Sequence, residues 1–321
     1  TAGRWELFHE IVADDALDYR LAAHFIGSFH GAGYASIPIR TNGDGFRDDE
    51  FRRDAAGRRV VVLGDSVVFG SGVREEDRFT DVLAGSRANA SPPMVVWNLG
   101  VNSYSFGHYL AQARADFFGL DPDIVVVGFT LNDIEPMDES WPARRFGTLL
   151  RPGGSGVADW LRFLERRWDR SLAGSFLREA KAQARIATMN PESREAYHTR
   201  WMRGVETQWA SAEAEARLAA EVDAFAALMR ASGRAWMVLV FPERNTLLRP
   251  DEFSVARRRL QDLLQARGVA VCDAHAAFAG RGDRVGDLFL PDDSVHFTPA
   301  GHRLVAGVLA DCLERLPLSA N

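Results

Sequence analysis

Continuous apolar runs, rich in β-branched residues and separated by helix-length segments, constrain the fold of this chain most strongly. They cover residues 59–63, 94–100, 123–128, 235–241 and 269–273. Strands that are apolar throughout are typical of a parallel sheet buried on both faces. Alternation of such strands with helical segments favours right-handed crossovers and helices on both sides of the sheet. The sequence therefore predicts an α/β chain with a five-stranded parallel sheet.

Polar residues follow the first three runs, where each strand is expected to end. In open α/β sheets the carboxyl ends of the strands form the edge at which ligands bind. Ser66 leaves the first strand there, Gly100 could bring a backbone N–H close to a substrate, and Asn132 offers a side-chain NH2 group. The local alternatives are a helix cap at Asp65 and Ser66, a turn glycine at Gly100, and an Asx-turn at Asn132 and Asp133.

A second polar pair lies near the C-terminus. Asp293 and His296 are three residues apart, just before Thr298 and Pro299, which are typical of the N-cap and first position of a helix. On such a turn the carboxylate can reach one imidazole nitrogen and leave the other free to take a proton from a serine. The alternative is a surface pair without a role. We expect the other histidines on the surface or in packing: His9, His24, His30, His108, His198, His275 and His302.

Together, in this order, these segments resemble the SGNH hydrolase family, also called GDSL esterases and lipases. The matching residues are 64–70, 98–100, 132–133 and 293–296, and the resemblance spans about residues 58–310. It implies a three-layer α/β/α fold of the flavodoxin-like type, with no cofactor and no metal. No single segment is specific, whereas their ordered combination is. One departure is Thr130, since the family usually has glycine two residues before this asparagine.

The resemblance also implies a role for each matching residue. Ser66 is the expected nucleophile, His296 the base and Asp293 its partner. The expected oxyanion donors are the backbone N–H groups of Ser66 and Gly100 and the side chain of Asn132. Asp65 is expected to be structural.

Composition indicates which partners fit. The formal net charge is −6, which argues against a nucleic-acid partner. Lys181 is the only lysine, and the arginines are scattered. With Cys272 and Cys312 as the only cysteines, a disulfide framework is excluded. We expect both to be buried as small hydrophobes, while a single bond between them stays open.

Location is predicted from weaker signals. No run is apolar and long enough to span a bilayer, and no signal peptide is visible after Thr1. Residues 38–47 look like a segment that precedes the first block in some secreted or membrane-tethered bacterial members of the family, although a turn would also explain them. We favour an extracytoplasmic location over a cytoplasmic one.

The chain divides into three predicted parts. Residues 1–57 form an N-terminal extension, residues 58–134 and 235–321 form the hydrolase core, and residues 135–234 form a largely helical insertion. A helix is predicted over residues 200–231 with one apolar stripe. The stripe consists of Met202, Val205, Trp209, Ala212, Ala216, Ala219, Val222 and Met229. It packs on the sheet or a neighbouring helix, or else the tryptophan-rich insertion caps the active site.

Three functions are compatible with these features. The first is a serine esterase that hydrolyses a small acyl ester, a lipid or an acylated carbohydrate through an acyl-enzyme on Ser66. The second is an O-acyltransferase that uses the same site to pass the acyl group to a sugar or another alcohol. The third is a binding protein on a hydrolase fold without turnover. Substrate identity and oligomeric state are not readable from the sequence.

Overall fold

The computed structural model describes residues 11–14, 16–31, 34–137, 191–291 and 293–317. Its central sheet has five parallel strands in the order β6-β5-β7-β8-β9. These strands are β5 (Arg58–Gly64), β6 (Met94–Gly100), β7 (Ile124–Phe129), β8 (Ala235–Val240) and β9 (Val271–Asp273). The prediction of a five-stranded parallel sheet in a three-layer α/β/α fold is confirmed. The last strand begins two residues later than its apolar run, at Val271 instead of residue 269, and β7 begins one residue later, at Ile124.

Helices cover both faces of this sheet. They are α1 (Ser66–Phe69), α2 (Phe79–Arg87), α3 (Phe106–Arg114), α4 (Pro191–Trp209), α5 (Ala212–Ser232), α6 (Arg244–Leu248), α7 (Val255–Ala266), α8 (His275–Ala279) and α9 (Pro299–Arg315). Successive strand residues point to opposite faces. Val61 and Val125 therefore contribute to a core with α3, α5 and α7, whereas Val60 and Ile124 contribute to a core with α2 and α9.

The segment before the sheet packs on the α3 side. It contains two antiparallel hairpins, β1 (Ile11–Asp14) with β2 (Asp18–Leu21), and β3 (Ile26–Gly31) with β4 (Tyr34–Arg40). Phe51 then contacts Trp97 of β6, with ring centroids 6.1 Å apart. The buried guanidinium of Arg47 donates to the carbonyl oxygens of Phe69, Gly70 and Val73, directly after α1. These contacts fix the N-terminal segment to β6 and to the chain around the end of α1.

The predicted helix over residues 200–231 is wrong as a single element. α4 ends at Trp209, and Ser211 begins α5 by accepting a hydrogen bond from the Ala214 N–H at 3.3 Å. The break shifts the buried phase, so Ala212 and Ala216 are exposed while Ala214, Leu218, Val222, Phe225 and Met229 are buried. The predicted boundaries at residues 57, 134 and 234, and the cap, stay predictions. Trp141, Trp160, Trp168 and the glycine-rich residues 152–156 lie outside the described residues.

The two cysteines form a disulfide that joins β9 to α9. The expectation of two free, buried thiols is therefore wrong, and the bond that the sequence left open is present. Cys272 is buried on the edge strand and faces the terminal helix, which brings the two Cα atoms to 5.8 Å, within the range that a disulfide bridges. Among the described residues, no helix combines the length and the apolar character needed to cross a membrane.

Candidate active site

The nucleophile candidate lies on a tight turn between β5 and α1. Asp65 caps α1 because its Oδ1 accepts a hydrogen bond from the Val67 N–H at 2.9 Å. Ser66 is then the first residue of the helix. A Cβ on Gly64 would lie 2.1 Å from a methyl group of Val68, so only glycine allows the turn to fold back this closely. Ser66 is thereby presented at the carboxyl edge of the sheet.

Three predicted site residues meet at this edge. The Ser66 Oγ lies 2.7 Å from His296 Nε2, and His296 Nδ1 lies 2.8 Å from Asp293 Oδ2. The other carboxylate oxygen of Asp293 accepts the N–H groups of Val295 and His296, at 2.8 and 2.9 Å. Because Asp293 holds Nδ1, the tautomer that can accept a proton at Nε2 is favoured. This is the geometry of a serine hydroxyl next to an oriented general base.

Burial and charge act in opposite directions on the acid–base pair. Burial alone would raise the pKa of the Asp293 carboxyl, but the charge of His296 and hydrogen bonds from His296 and Val295 outweigh it and hold that pKa well below its usual range. For His296, burial lowers the pKa, yet the carboxylate of Asp293 and its hydrogen bond raise it above the usual value. The pair therefore stabilises the imidazolium that forms when Nε2 takes a proton.

Asn132 lies on a short 3-10 turn, Leu131–Ile134, that directly follows β7. Its side-chain oxygen lies 3.0 Å from the hydroxyl oxygen of Thr130. Within the described residues, neither its NH2 group nor the Ser66 N–H has a hydrogen-bond partner. These two donors are free to bind an anion.

Gly100 lies at the end of β6, as predicted, but its N–H is already hydrogen-bonded within the protein. Its N–H donates to the Asn98 side-chain oxygen at 2.9 Å, so it is not a free donor in this structure. A Cβ at Gly100 would lie 2.4 Å from the backbone nitrogen of Phe69, which gives this glycine a packing role where α1 crosses β6. Sequence reasoning missed Ser103, further along the same loop, where φ is +63°. Its N–H makes no hydrogen bond with any described residue, and no sequence signal pointed to it.

Buried carboxyl groups surround the Asn132 turn. Asp133 Oδ2 accepts the Thr130 N–H and the Tyr109 hydroxyl, each at 3.0 Å. Glu243 Oε1 accepts the Leu131 N–H at 2.9 Å, while its Oε2 is buried and has no hydrogen-bond partner among the described residues. Burial raises the pKa of Asp133 well above its usual value and raises the pKa of Glu243 to about 7. Glu243 was also missed, since nothing near Pro242 in the sequence marks a buried acid.

One group of acids in the described residues has the spacing of a metal site. Asp48, Glu75 and Asp81 bring carboxylate oxygens within 4.8 Å of one another. The fully buried guanidinium of Arg78 lies among them, 2.7 Å from Asp81 and 3.6 Å from Asp48. The arginine already supplies the positive charge, so these acids are explained without a metal ion.

Comparison with known proteins finds a family match over most of the chain. Residues 62–304 match the model of the GDSL-like lipase/acylhydrolase family. No curated protein sequence matches. Among solved structures, TesA is 13% identical, with 81% of this chain and 100% of TesA covered and a TM-score of 0.47. A catalytic mutant of Axe2, an acetylxylan esterase from Geobacillus stearothermophilus, is 13% identical over 84% of this chain and 99% of its own, with a TM-score of 0.44.

Proposed function

Because the chain belongs to the GDSL-like lipase/acylhydrolase family, we propose that it is a serine esterase that cleaves a carboxylic ester through an acyl-enzyme on Ser66. The observation that supports this most directly is the chain of contacts from Ser66 Oγ to His296 Nε2 at 2.7 Å and from His296 Nδ1 to Asp293 at 2.8 Å. Serine is a weak nucleophile at neutral pH unless an adjacent base takes its proton. These contacts provide that base.

The reaction has two halves that use the same groups. In the first, Ser66 Oγ attacks the ester carbonyl carbon while His296 Nε2 takes the hydroxyl proton, and the proton then passes to the departing alcohol. In the second, water attacks the acyl carbon, gives its proton to Nε2, and releases the acid as Ser66 regains a proton. Asp293 keeps its charge throughout and stabilises the imidazolium at each step.

The negative oxygen that forms in each half needs hydrogen-bond donors already in place. We assign the Ser66 N–H and the Asn132 NH2 group as two of them. For the third, the free N–H of Ser103 replaces the predicted Gly100 N–H, which Asn98 occupies. The hydrogen bond from the Ser71 hydroxyl to the Asn102 side chain, at 2.8 Å, holds the Ser103 loop beside the end of α1.

The decisive test removes the nucleophile. Ester turnover is measured on p-nitrophenyl esters from acetate to palmitate and on acetylated sugars, with wild type and with Ser66→Ala. We expect Ser66→Ala to abolish turnover and labelling by a fluorophosphonate while it keeps the wild-type Tm. Full turnover in that variant would refute the proposal, and failure of folded wild type to label would favour a binding protein without turnover.

An acyltransferase would share the acyl-enzyme and differ only in what accepts the acyl group. Adding a sugar or another alcohol to the assay, and following both free acid and acylated acceptor, separates the two reactions. If the acylated acceptor is the main product, the reaction is acyl transfer and not hydrolysis. The substrate class we propose is an ester of a small molecule, a lipid or a carbohydrate.

The disulfide supports an extracytoplasmic location. Bonds such as Cys272–Cys312 persist mainly in oxidising compartments, whereas thiols in the cytosol are kept reduced. Thiol titration of the protein purified from its natural source would show no free thiol if this location is right, and two free thiols if it is wrong.

A further inference from the structure

Thr130 is fully buried between the two turns that carry Ser66 and Asn132. Its Oγ1 lies 2.9 Å from Asp65 Oδ2, 3.0 Å from Asn132 Oδ1 and 2.9 Å from Asp133 Oδ1. Asp65, through its other oxygen, caps α1 at the residue after Ser66. A path of side chains thus joins the turn after β5 to the turn after β7, and Thr130 lies at its centre.

We propose that Thr130 is a positioning residue that fixes the Asn132 carboxamide, with its oxygen held inside the protein and its NH2 group directed at the ester oxygen. The inference rests on the proposed function, because the direction of this amide matters only if an oxyanion forms at Ser66. Glycine, the usual residue at this position in the family, has no hydroxyl. The link is therefore a property of this chain.

Counting hydrogens gives the condition that this orientation must meet. A hydroxyl group donates one hydrogen and accepts up to two hydrogen bonds. If Thr130 donates to the Asn132 oxygen, the contacts with Asp65 and Asp133 are satisfied only when both carboxyl groups bring a proton. Burial raises the pKa of both carboxyl groups, which is the direction that this arrangement requires. Every contact around the hydroxyl then has one donor and one acceptor.

The same count shows what would happen without the hydroxyl. Among the described residues, the Asn132 side-chain oxygen would lose its one hydrogen bond, and the carboxamide could turn over. Its oxygen would then face the developing negative charge in a fraction of molecules. The loss should be smaller than the hundred- to thousandfold cost of removing an oxyanion donor outright, and we expect a fall in kcat of about tenfold.

The test is a double-mutant cycle on Thr130 and Asn132. Thr130→Val removes the hydroxyl and keeps the shape, Thr130→Ser keeps the hydroxyl, and each is made in wild type and in Asn132→Ala. The readouts are kcat and KM on a p-nitrophenyl ester, the rate of fluorophosphonate labelling of Ser66, and Tm. Thr41→Val is the matched control, since Thr41 is also buried and its hydroxyl donates to the Ala22 carbonyl at 2.6 Å, in the N-terminal segment.

We expect Thr130→Val to lower kcat and the labelling rate about tenfold with KM changed less than twofold, and Thr130→Ser to restore most of both. In Asn132→Ala, Thr130→Val should have no further effect on kcat, because the amide it positions is gone. Thr41→Val should lower Tm without changing kcat.

Two results would overturn the inference. One is a Thr130→Val effect of the same size in wild type and in Asn132→Ala; the other is Thr130→Ser as slow as Thr130→Val, which would indicate packing alone. Ser66→Ala is assayed in parallel, and the two results count against the role of Thr130 when that variant is inactive. Full turnover in Ser66→Ala would instead refute the proposed function itself, so the two failures are distinguishable.

Discussion

Glu243 offers the sharpest test of the buried acids around the Asn132 turn. It is 1% exposed, one of its oxygens accepts the Leu131 N–H, and the other has no hydrogen-bond partner in the part of the chain that the structure describes. Burial raises the pKa of Glu243 from 4.5 to about 7. Between these two pH values the Glu243 carboxyl of the folded protein therefore holds a proton that the unfolded chain releases. The stability from this group is fully present below pH 4.5 and is lost as the pH rises through 7.

Glu243→Gln removes that dependence. The side-chain oxygen of glutamine can still accept the Leu131 N–H. Its NH2 group takes the place of the protonated oxygen of the neutral acid and has no hydrogen-bond partner among the described residues, like that oxygen. Since one pKa unit is worth about 1.4 kcal/mol, the two values correspond to about 3 kcal/mol. We expect the variant to equal wild type in unfolding free energy near pH 4 and to exceed it by about that amount above pH 8.

The assay is urea unfolding from pH 4 to pH 9, with Glu213→Gln on the exposed face of α5 as the control. Subtracting the wild-type curve from each variant isolates the one group, because the other buried acids are common to both. A difference for Glu243→Gln that stays constant across this range would refute the reasoning. So would a control that shows the same slope.

Three further variants test the site and its support. Gly100→Ala would place a Cβ 2.4 Å from a backbone nitrogen of α1, so we expect a loss of roughly 1–3 kcal/mol in unfolding free energy and slower labelling of Ser66; an unchanged Tm would contradict this close packing. Reduction of Cys272–Cys312 opens a loop of 40 residues and should lower the unfolding free energy by about 4 kcal/mol in the chain-entropy model. Urea unfolding with and without reductant measures this loss, and the double Cys→Ser variant is the control. Asp293→Asn should lower kcat by about four orders of magnitude through the wrong tautomer of His296, whereas an unchanged kcat would leave a serine–histidine dyad.

The sheet was predictable from local patterns, whereas the meeting of Ser66 with His296 was expected from the resemblance to the SGNH hydrolase family. Apolar runs determine which segments are central strands, and parallel strands end at one edge, so residues far apart in the chain converge there. The three-residue spacing of Asp293 and His296 likewise determines their hydrogen bond within a single turn. None of these inferences needs knowledge of which helix packs where.

Features that depend on contacts between distant segments were not predictable. The partner of the Gly100 N–H is a side chain on its own strand, and the choice of Asn98 depends on α1 and α2, which hold the Asn98 amide through the Val68 carbonyl and the Thr80 hydroxyl. The break between α4 and α5 was not predictable either, because the alanine-rich sequence around it is equally compatible with one long helix. In the structure Ser211 caps α5, where its hydroxyl accepts the Ala214 N–H.

The buried acids also bear on catalysis through their charge. A carboxylate near the oxyanion would repel it, because like charges interact strongly at the effective dielectric constant of about 20 that suits protein interiors. Burial of Asp65, Asp133 and Glu243 raises the pKa of each, which favours neutral acids that form hydrogen bonds without adding negative charge. Asp293 is the exception: beside His296 its pKa is held low, so the one carboxylate kept charged is the one that stabilises a cation. Environment thus shifts the pKa of carboxyl groups of one chemical type in opposite directions, upward for the three supports and downward for the partner of the base.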